Sequence, residues 1–325
     1  MAEHKVQPSS MLLIIQTIDR GQTINNTVVC LKSITKNDSV NVIDANSWCG
    51  QKKLAGLSDI SYNFECIHLQ DPEGDKLSGT NLRVLAYQKL PIYYKIIPEV
   101  PQPGDELEEG YGFISDISSN YSFDNVGTFS MTITAKGTPE LFKLNNVVTI
   151  GEQVWSSKNL DVTQFRNGVQ IVEATDNTNW FDLLETETPA WAYWEYDSNN
   201  ASLGKYYNTF AINSINNLAP NNYKIPSSAD VQDLYDFVSI QHSGNTGNAL
   251  KEIGTTHWFT NNGIDSYGFS MQGNGVAIYG DLKNLGAFYT SDYWISIFYD
   301  LDNDFQLVED SISSYGFNIR LLLDI

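Results

Sequence analysis

Three aspartates at alternate positions, Asp300, Asp302 and Asp304, have the first three spacings of a calcium-binding loop. The rest of that loop is missing, because Phe305 stands where glycine is required and Ser311 where the bidentate glutamate belongs. The segment is better explained as a β-hairpin with a turn rich in Asp and Asn. We therefore predict no metal site here.

The other residues that could carry chemistry are scattered. Four histidines show no metal spacing, and His257 beside Trp258 is either a polar core group or a ligand contact. The three cysteines are odd in number, and we expect reduced thiols, with Cys30 and Cys66 on core faces. Residues 244–251 are not a phosphate loop, because the lysine is misplaced. Since no nucleophile–base or carboxylate pair is apparent, we predict no enzyme and no cofactor.

Aromatic residues are concentrated in residues 180–184, 191–196 and 205–210. One interpretation is core packing. The other is a surface that binds sugars or peptides, because flat rings stack on sugar faces and Trp and Tyr dominate binding hot spots. The candidate ligand-binding residues are Trp180, Trp191 and Trp194.

Composition and charge indicate a folded, acidic, two-domain protein. The chain has 325 residues, 42% of them apolar, and a net charge of −20. Up to Val147 there are 12 basic and 17 acidic residues, and beyond it 7 basic and 22 acidic ones. This balance argues against non-specific binding to nucleic acid or anionic membranes. With no signal peptide or membrane-spanning run apparent, we expect synthesis in a cytoplasm and domains at 1–143 and 144–325.

The first half is predicted to be mostly β. Apolar and polar residues alternate in 60–68 and 127–137, which is typical of half-buried strands. One helix is predicted over 78–88, followed by a strand at 90–97. Residues 98–110, rich in Pro, Gly and acids, are predicted to be a solvated loop.

Residues 111–137 contain a glycine-led strand, a short acidic turn and an alternating strand that ends in glycine. With the loop and strand at 49–66, this order resembles the tail tube (major tail) proteins of long-tailed bacteriophages over residues 8–142. The resemblance implies a β-sandwich with one flanking helix, hexameric rings stacked into a tube, and DNA only in transit. It also implies tail partners: the tape measure, the tail terminator and the baseplate.

Residues 36–56 are predicted to form a long loop. The corresponding loop of the tail tube family reaches the neighbouring ring, which makes these residues the candidate inter-ring contacts: Asp44, Trp48, Lys52 and Lys53. Local loop packing is the alternative for Trp48. A tube that passes DNA should not bind it, and the outward faces of the alternating strands are polar and nearly free of Lys and Arg.

The second half carries an ordered series of short motifs. In residues 218–238, either Ser228 or Ser227, the latter with Asp230 three positions on, is expected to cap a helix. The series resembles the Fibrobacter succinogenes major paralogous domain over residues 147–325. These residues carry the match: Gly151 to Trp155, Lys158, Asn159, Leu160, Leu218 to Pro220, Ile225 to Ser227, Ala249, Leu250, Lys251, Gly254, Trp258, Gly268, Phe269 and Gly316 to Arg320. The resemblance implies a C-type lectin-like fold.

These observations predict a mainly β chain with minor α: a tail-tube β-sandwich followed by a C-type lectin-like α+β domain. The predicted function is the major tail tube subunit of a bacteriophage or prophage, located in the virion tail after assembly in the host cytoplasm. Its second domain would be displayed as a decoration that touches host glycans. The alternatives are a bacterial surface adhesin and the inner tube of a contractile injection device.

Overall fold

The computed structural model describes residues 11–19, 22–28, 31–47, 50–67, 79–98, 100–120, 128–275, 283–309 and 315–324. The chain divides into two compact units between Asn145 and Asn146. This division lies two residues beyond the expected boundary. The mainly β class with minor α is confirmed. No helix among the described residues is long and apolar enough to cross a membrane.

The described part of the first unit is built from antiparallel strands in the order β2-β1-β5-β6-β7-β4-β3, with β8 paired to β6. Its elements are β1 (Met11–Asp19), β2 (Gln22–Val28), β3 (Leu31–Ser47), β4 (Gly50–Ile67), α1 (Gly79–Gln88), β5 (Ile92–Pro98), β6 (Glu106–Asn120), β7 (Thr128–Ala135) and β8 (Glu140–Lys143). The predicted helix and the alternating strands are therefore present. The predicted loop at 98–110 ends earlier, because β6 already begins at Glu106.

One core lies against this sheet. Leu13 of β1, Tyr94 of β5, Ile133 of β7 and Phe64 of β4 belong to a single buried cluster, together with Leu82 of α1. Strands that are far apart in the strand order can share one core only if the sheet curves around it. The strands thus form one continuous sheet that folds around this core.

A polar network supports this curvature at the edge of the core. Lys36 of β3 and Tyr62 of β4 both donate to Glu108 Oε1 of β6, each at 2.6 Å. Because β3 and β6 are not neighbours in the sheet, the Lys36–Glu108 ion pair connects strands across its concave side. Burial and the adjacent Glu108 raise the pKa of the Tyr62 hydroxyl far above its usual value, so the network keeps that proton.

The expected long loop at residues 36–56 is corrected by the structure. Residues 36–47 belong to β3 and residues 50–56 to β4, and these strands pair from Asp38 opposite Ile60 to Ser47 opposite Gly50. β7 pairs with β4 only over Ser61–Ile67. We call residues 38–47 and 50–60 the arm. Polar residues interrupt the alternation of apolar and polar positions in the arm, and the strand register shifts after Val40. The arm therefore lacks the sequence pattern of a β-strand.

The second unit has short strands and irregular backbone. Its sheets are β14-β18-β10-β9, β11-β12-β13 and β15-β16-β17. The strands are β9 (Val147–Ile150), β10 (Gln153–Ser156), β11 (Val172–Glu173), β12 (Ala190–Ala192), β13 (Tyr206–Tyr207), β14 (Tyr223–Lys224), β15 (Leu285–Tyr289), β16 (Trp294–Tyr299), β17 (Phe305–Glu309) and β18 (Leu322–Leu323). The helices are α2 (Asn177–Glu185), α3 (Thr209–Ile212), α4 (Ser228–Gln241), α5 (Thr246–Leu250) and the 3-10 turns Trp194–Tyr196 and Ser198–Leu203.

Helix α4 packs its apolar side into the largest core of this unit. Val231, Leu234 and Val238 are fully buried there beside Trp155 and Phe288. The spacing i, i+3, i+7 places these three side chains on one face of the helix. The largest described core of the second unit is therefore built from aromatic and aliphatic side chains packed against one face of α4.

Ser227 is the residue that caps α4. Its hydroxyl accepts from the amide of Asp230, whose carboxylate accepts from the Ser227 amide in return. Burial alone would raise the pKa of Asp230, but the hydrogen bonds from Ser227 and Lys224 hold that pKa below its usual value. The alternative cap, Ser228, instead donates to Asp292.

We expect Ser227→Ala to lower the free energy of unfolding of the second unit by about 1 kcal/mol, because the Asp230 amide loses its acceptor and the Asp230 carboxylate loses the hydroxyl donor. Urea unfolding followed by tryptophan fluorescence measures this, since six of the seven tryptophans lie beyond residue 150. Ser239→Ala is the control: its hydroxyl bonds only to the Asp236 carbonyl within α4. Equal effects of the two variants would contradict the assigned cap.

Candidate functional sites

The arm is the first candidate site. Its two strands pair with each other over about ten positions, or on the order of 30 Å. Within the described residues, neither strand of the arm has a further partner strand. A two-stranded hairpin is only marginally stable by itself in water. Within the described residues, the arm is therefore supported only by the pairing of its own two strands.

The predicted contact residues lie on this arm. Asp44 and Lys53 occupy facing positions in the ladder, and Lys52 faces Ala45. The register thus pairs an acidic position of β3 with a basic position of β4. Trp48 lies outside the described residues, as do Cys30 and Cys49.

The outer face of the first sheet carries a row of uncharged polar side chains. Thr132 of β7 donates to Asn63 of β4 at 2.8 Å, and Thr134 donates to Ser115 of β6 at 2.9 Å. We call these four residues the polar row. Their side chains bond to each other across three strands, so the row presents hydroxyls and an amide without a positive charge.

The three candidate tryptophans are not on a surface. Trp180, Trp191 and Trp194 are at most 5% exposed. The Trp191 indole donates to the carbonyl of Ile171, and the Lys205 ammonium lies 4.7 Å from the ring centre of Trp191. These rings therefore lack an open face for a sugar, and core packing, the alternative interpretation, describes them.

The aspartate-rich segment is a hairpin turn between β16 and β17, as predicted. Its carbonyl oxygens converge on the fully buried ammonium of Lys251, which donates to Tyr299 at 2.5 Å, to Asp302 at 2.7 Å and to the amide oxygen of Asn248 at 3.0 Å. Burial lowers the pKa of Lys251 to about 8, while Asp300 and Asp302 act to raise it. An internal cation thus holds this turn in place.

A second buried cation connects the end of the chain to two loops. Arg320 is 1% exposed and donates to Asn159 Oδ1 at 2.8 Å. It also donates to the carbonyls of Ser156, Phe269 and Ser270 at 2.9–3.0 Å. Because the guanidinium has five donors in one plane, it can bind several backbone segments at once.

The remaining candidates are structural. His257 is half-buried, and its Nδ1 lies 2.7 Å from Glu252, so it matches the polar core alternative. Cys66 is a buried free cysteine of the first core. Within the described residues, no group of three or more His, Cys, Asp or Glu side chains could hold a metal ion.

A family model, the Fibrobacter succinogenes major domain, matches residues 148–322. This match covers more than half of the chain. The chain belongs to the Fibrobacter succinogenes major domain family. Several motif residues of that domain are now explained as internal connections. Lys251 fixes a hairpin, Arg320 joins two loops, and Asn318 donates to the carbonyls of Leu203 and Lys205.

Solved structures resemble the N-terminal part weakly. A chain of the virion of a native gene transfer agent particle is 13% identical, with 40% of this chain and 95% of that chain covered and a TM-score of 0.29. The SPP1 tail tube is 12% identical, with 43% of this chain and 80% of that chain covered and a TM-score of 0.34. A chain of the sheath–tube complex of an extracellular contractile injection system is 9% identical, with 44% of this chain and 94% of that chain covered and a TM-score of 0.31. No curated protein matches the chain.

We expect Lys251→Met to destabilise the Fibrobacter succinogenes major domain by about 2–5 kcal/mol, because several buried carbonyl oxygens lose their donor together. Thermal or urea unfolding followed by tryptophan fluorescence measures the loss. The control is Lys283→Met, since the Lys283 ammonium reaches one exposed carbonyl, that of Thr255. That variant should change stability by less than about 0.5 kcal/mol. A similar small change for Lys251→Met would contradict the role of the buried ammonium.

Proposed function

We propose that this protein is a structural tube subunit of a phage or prophage tail, with the arm as its assembly element. The observation that carries the proposal is the arm itself, a long hairpin whose outer edges lack partner strands within the described residues. Strand edges of this length attract other chains unless they are covered. Assembly with further copies covers them.

The sheet of the first unit supports a ring. Its end strands, β2 and β3, each have one partner strand within the described residues. Pairing β2 of one copy with β3 of the next would continue the curved sheet around a ring. Six such copies, stacked through their arms, form the hollow tube that we propose.

The wall of this tube must let DNA pass. DNA-binding proteins hold the phosphate backbone mainly with Lys and Arg. The polar row offers only hydroxyls and an amide, already bonded to one another. We therefore propose that the face of β4, β7 and β6 that carries the polar row lines the channel, so that DNA slides without adhering.

The second unit would be displayed on the tube. It carries most of the excess negative charge of the chain, which favours solubility and separation of crowded copies. We propose that the second unit is a C-type lectin-like domain and that it touches host glycans in the assembled virion tail. Its many copies would convert weak binding into avidity. The other tail proteins, the tape measure, terminator and baseplate, would be partners of the tube.

Charge reversal in the arm tests the assembly role. We expect the purified protein to form rings or tubes, visible by negative-stain electron microscopy. Lys52→Glu combined with Lys53→Glu should raise the concentration needed for assembly at least tenfold, because like charges then face Asp44 and the neighbouring copy meets a reversed patch.

Lys136→Glu combined with Lys143→Glu is the matched control. Both residues are exposed, lie in the first unit and produce the same change in net charge outside the arm. This variant should assemble like the unmodified chain. A protein that stays monomeric at every concentration would refute the tube, and equal assembly of both double variants would refute the role of the arm.

A further inference from the structure

A polar groove of about 530 Å³ opens in the second unit, and none of the three buried tryptophans is among its lining residues. Its volume is within the range of small-molecule sites. Three short segments of chain line it: residues 157–161, 201–204 and 268–272. Lys158, Asn159 and Gly268, which carry the family resemblance, are among the lining residues.

The frame of this groove is rigid. Asn159 accepts from Arg320 and donates to the carbonyl of Leu203, so two walls are tied together through one amide. On the third wall, Asp265 accepts from both the amide and the hydroxyl of Ser270. Gly204, with φ +79°, lies so close to Asn159 that a Cβ there would come within 2.7 Å of it. A glycine is required at that point of the wall.

Other lining groups remain available to a ligand. Among the described residues, no hydrogen-bond partner is found for the side chains of Ser157, Lys158, Ser202 and Gln272. Asp161 uses one carboxylate oxygen to bind the Lys205 ammonium and is about half exposed. The groove thus offers two hydroxyls, an amide, an ammonium and a carboxylate on fixed walls.

The charge and polarity of these lining groups indicate which class of ligand the groove can bind. Lys205 already offsets the Asp161 carboxylate, so Lys158 leaves a single positive charge at the groove among uncharged donors and acceptors. A strongly anionic ligand would therefore leave most of its charge unpaired. The small apolar lining, Ala201, Gly204 and Gly268, offers little to an apolar ligand. Mixed donors and acceptors at close spacing match a molecule in which every carbon bears a hydroxyl.

We infer that this groove binds a neutral saccharide. The carboxylate and amide accept from sugar hydroxyls, the ammonium donates to them, and the serines do both. The only carboxylate in the lining is already paired with Lys205, so binding needs no bridging cation. This inference rests on the proposed display of the second unit and identifies the surface with which that unit would contact glycans.

The test is an array of immobilised neutral, N-acetylated and uronate-containing oligosaccharides, probed with the fluorescently labelled full chain. Ala201→Trp fills the groove from an exposed position, and Ala229→Trp makes the same change at an exposed position on α4. We expect the unmodified chain and Ala229→Trp to bind a neutral or N-acetylated saccharide, with or without a chelator. Ala201→Trp should bind it at least tenfold more weakly.

Several results would overturn the inference: no saccharide bound, binding confined to uronates, loss of binding with a chelator, or unchanged binding by Ala201→Trp. Tryptophan fluorescence confirms that Ala201→Trp is folded, and Ser202→Ala with Gln272→Ala gives a milder second variant that should also weaken binding. Electron microscopy of the same samples separates the two hypotheses. If the chains bind the saccharide but form no tubes, the proposed tube is refuted and the inference that the groove binds a saccharide is supported.

Discussion

Every buried backbone amide and carbonyl must find a hydrogen-bond partner, and the two units meet this constraint in different ways. The first unit uses long strand ladders, in which each strand satisfies the next. A ladder always ends at an edge, however, and the edge leaves a row of groups without strand partners. The proposed ring follows from these unpaired edge groups, because the edge strand of a neighbouring copy can supply their hydrogen-bond partners.

The second unit has too little regular structure for that solution. Its strands are short, so side chains must form hydrogen bonds with the backbone groups that lie outside regular structure. Lys251 satisfies the carbonyls of a hairpin turn, and Arg320 satisfies those of two loops. This explains why charged residues stand in the family motifs at buried positions. The same guanidinium also fixes Asn159, so the fold and the proposed groove depend on one side chain.

Much of the fold could be predicted where periodicity was strong, as in strand β7, helix α1 and the hairpin at the aspartate-rich turn. The arm could not, because its polar sequence hides the alternation; its length alone was a signal, since structureless connections of twenty residues are rare in compact domains. The candidate binding site was harder to predict from the sequence than the fold. Tryptophans near each other in sequence indicate both cores and binding surfaces, and only burial separates the two. The groove unites residues about 40 to 115 positions apart in the sequence, which no local pattern reveals.

The uneven charge of the two halves agrees with the different roles proposed for the two units. The first half has a net charge near −5 and presents an uncharged polar row, so its proposed channel would neither attract nor strongly repel DNA. The second half carries the larger excess of acids, yet the lining of its groove holds one acid, Asp161, which is paired with Lys205, and one lysine, Lys158. A groove without an excess of acids in an acidic domain separates two tasks. The acidic surface keeps crowded copies apart, while recognition relies on short-range hydrogen bonds that salt screens little.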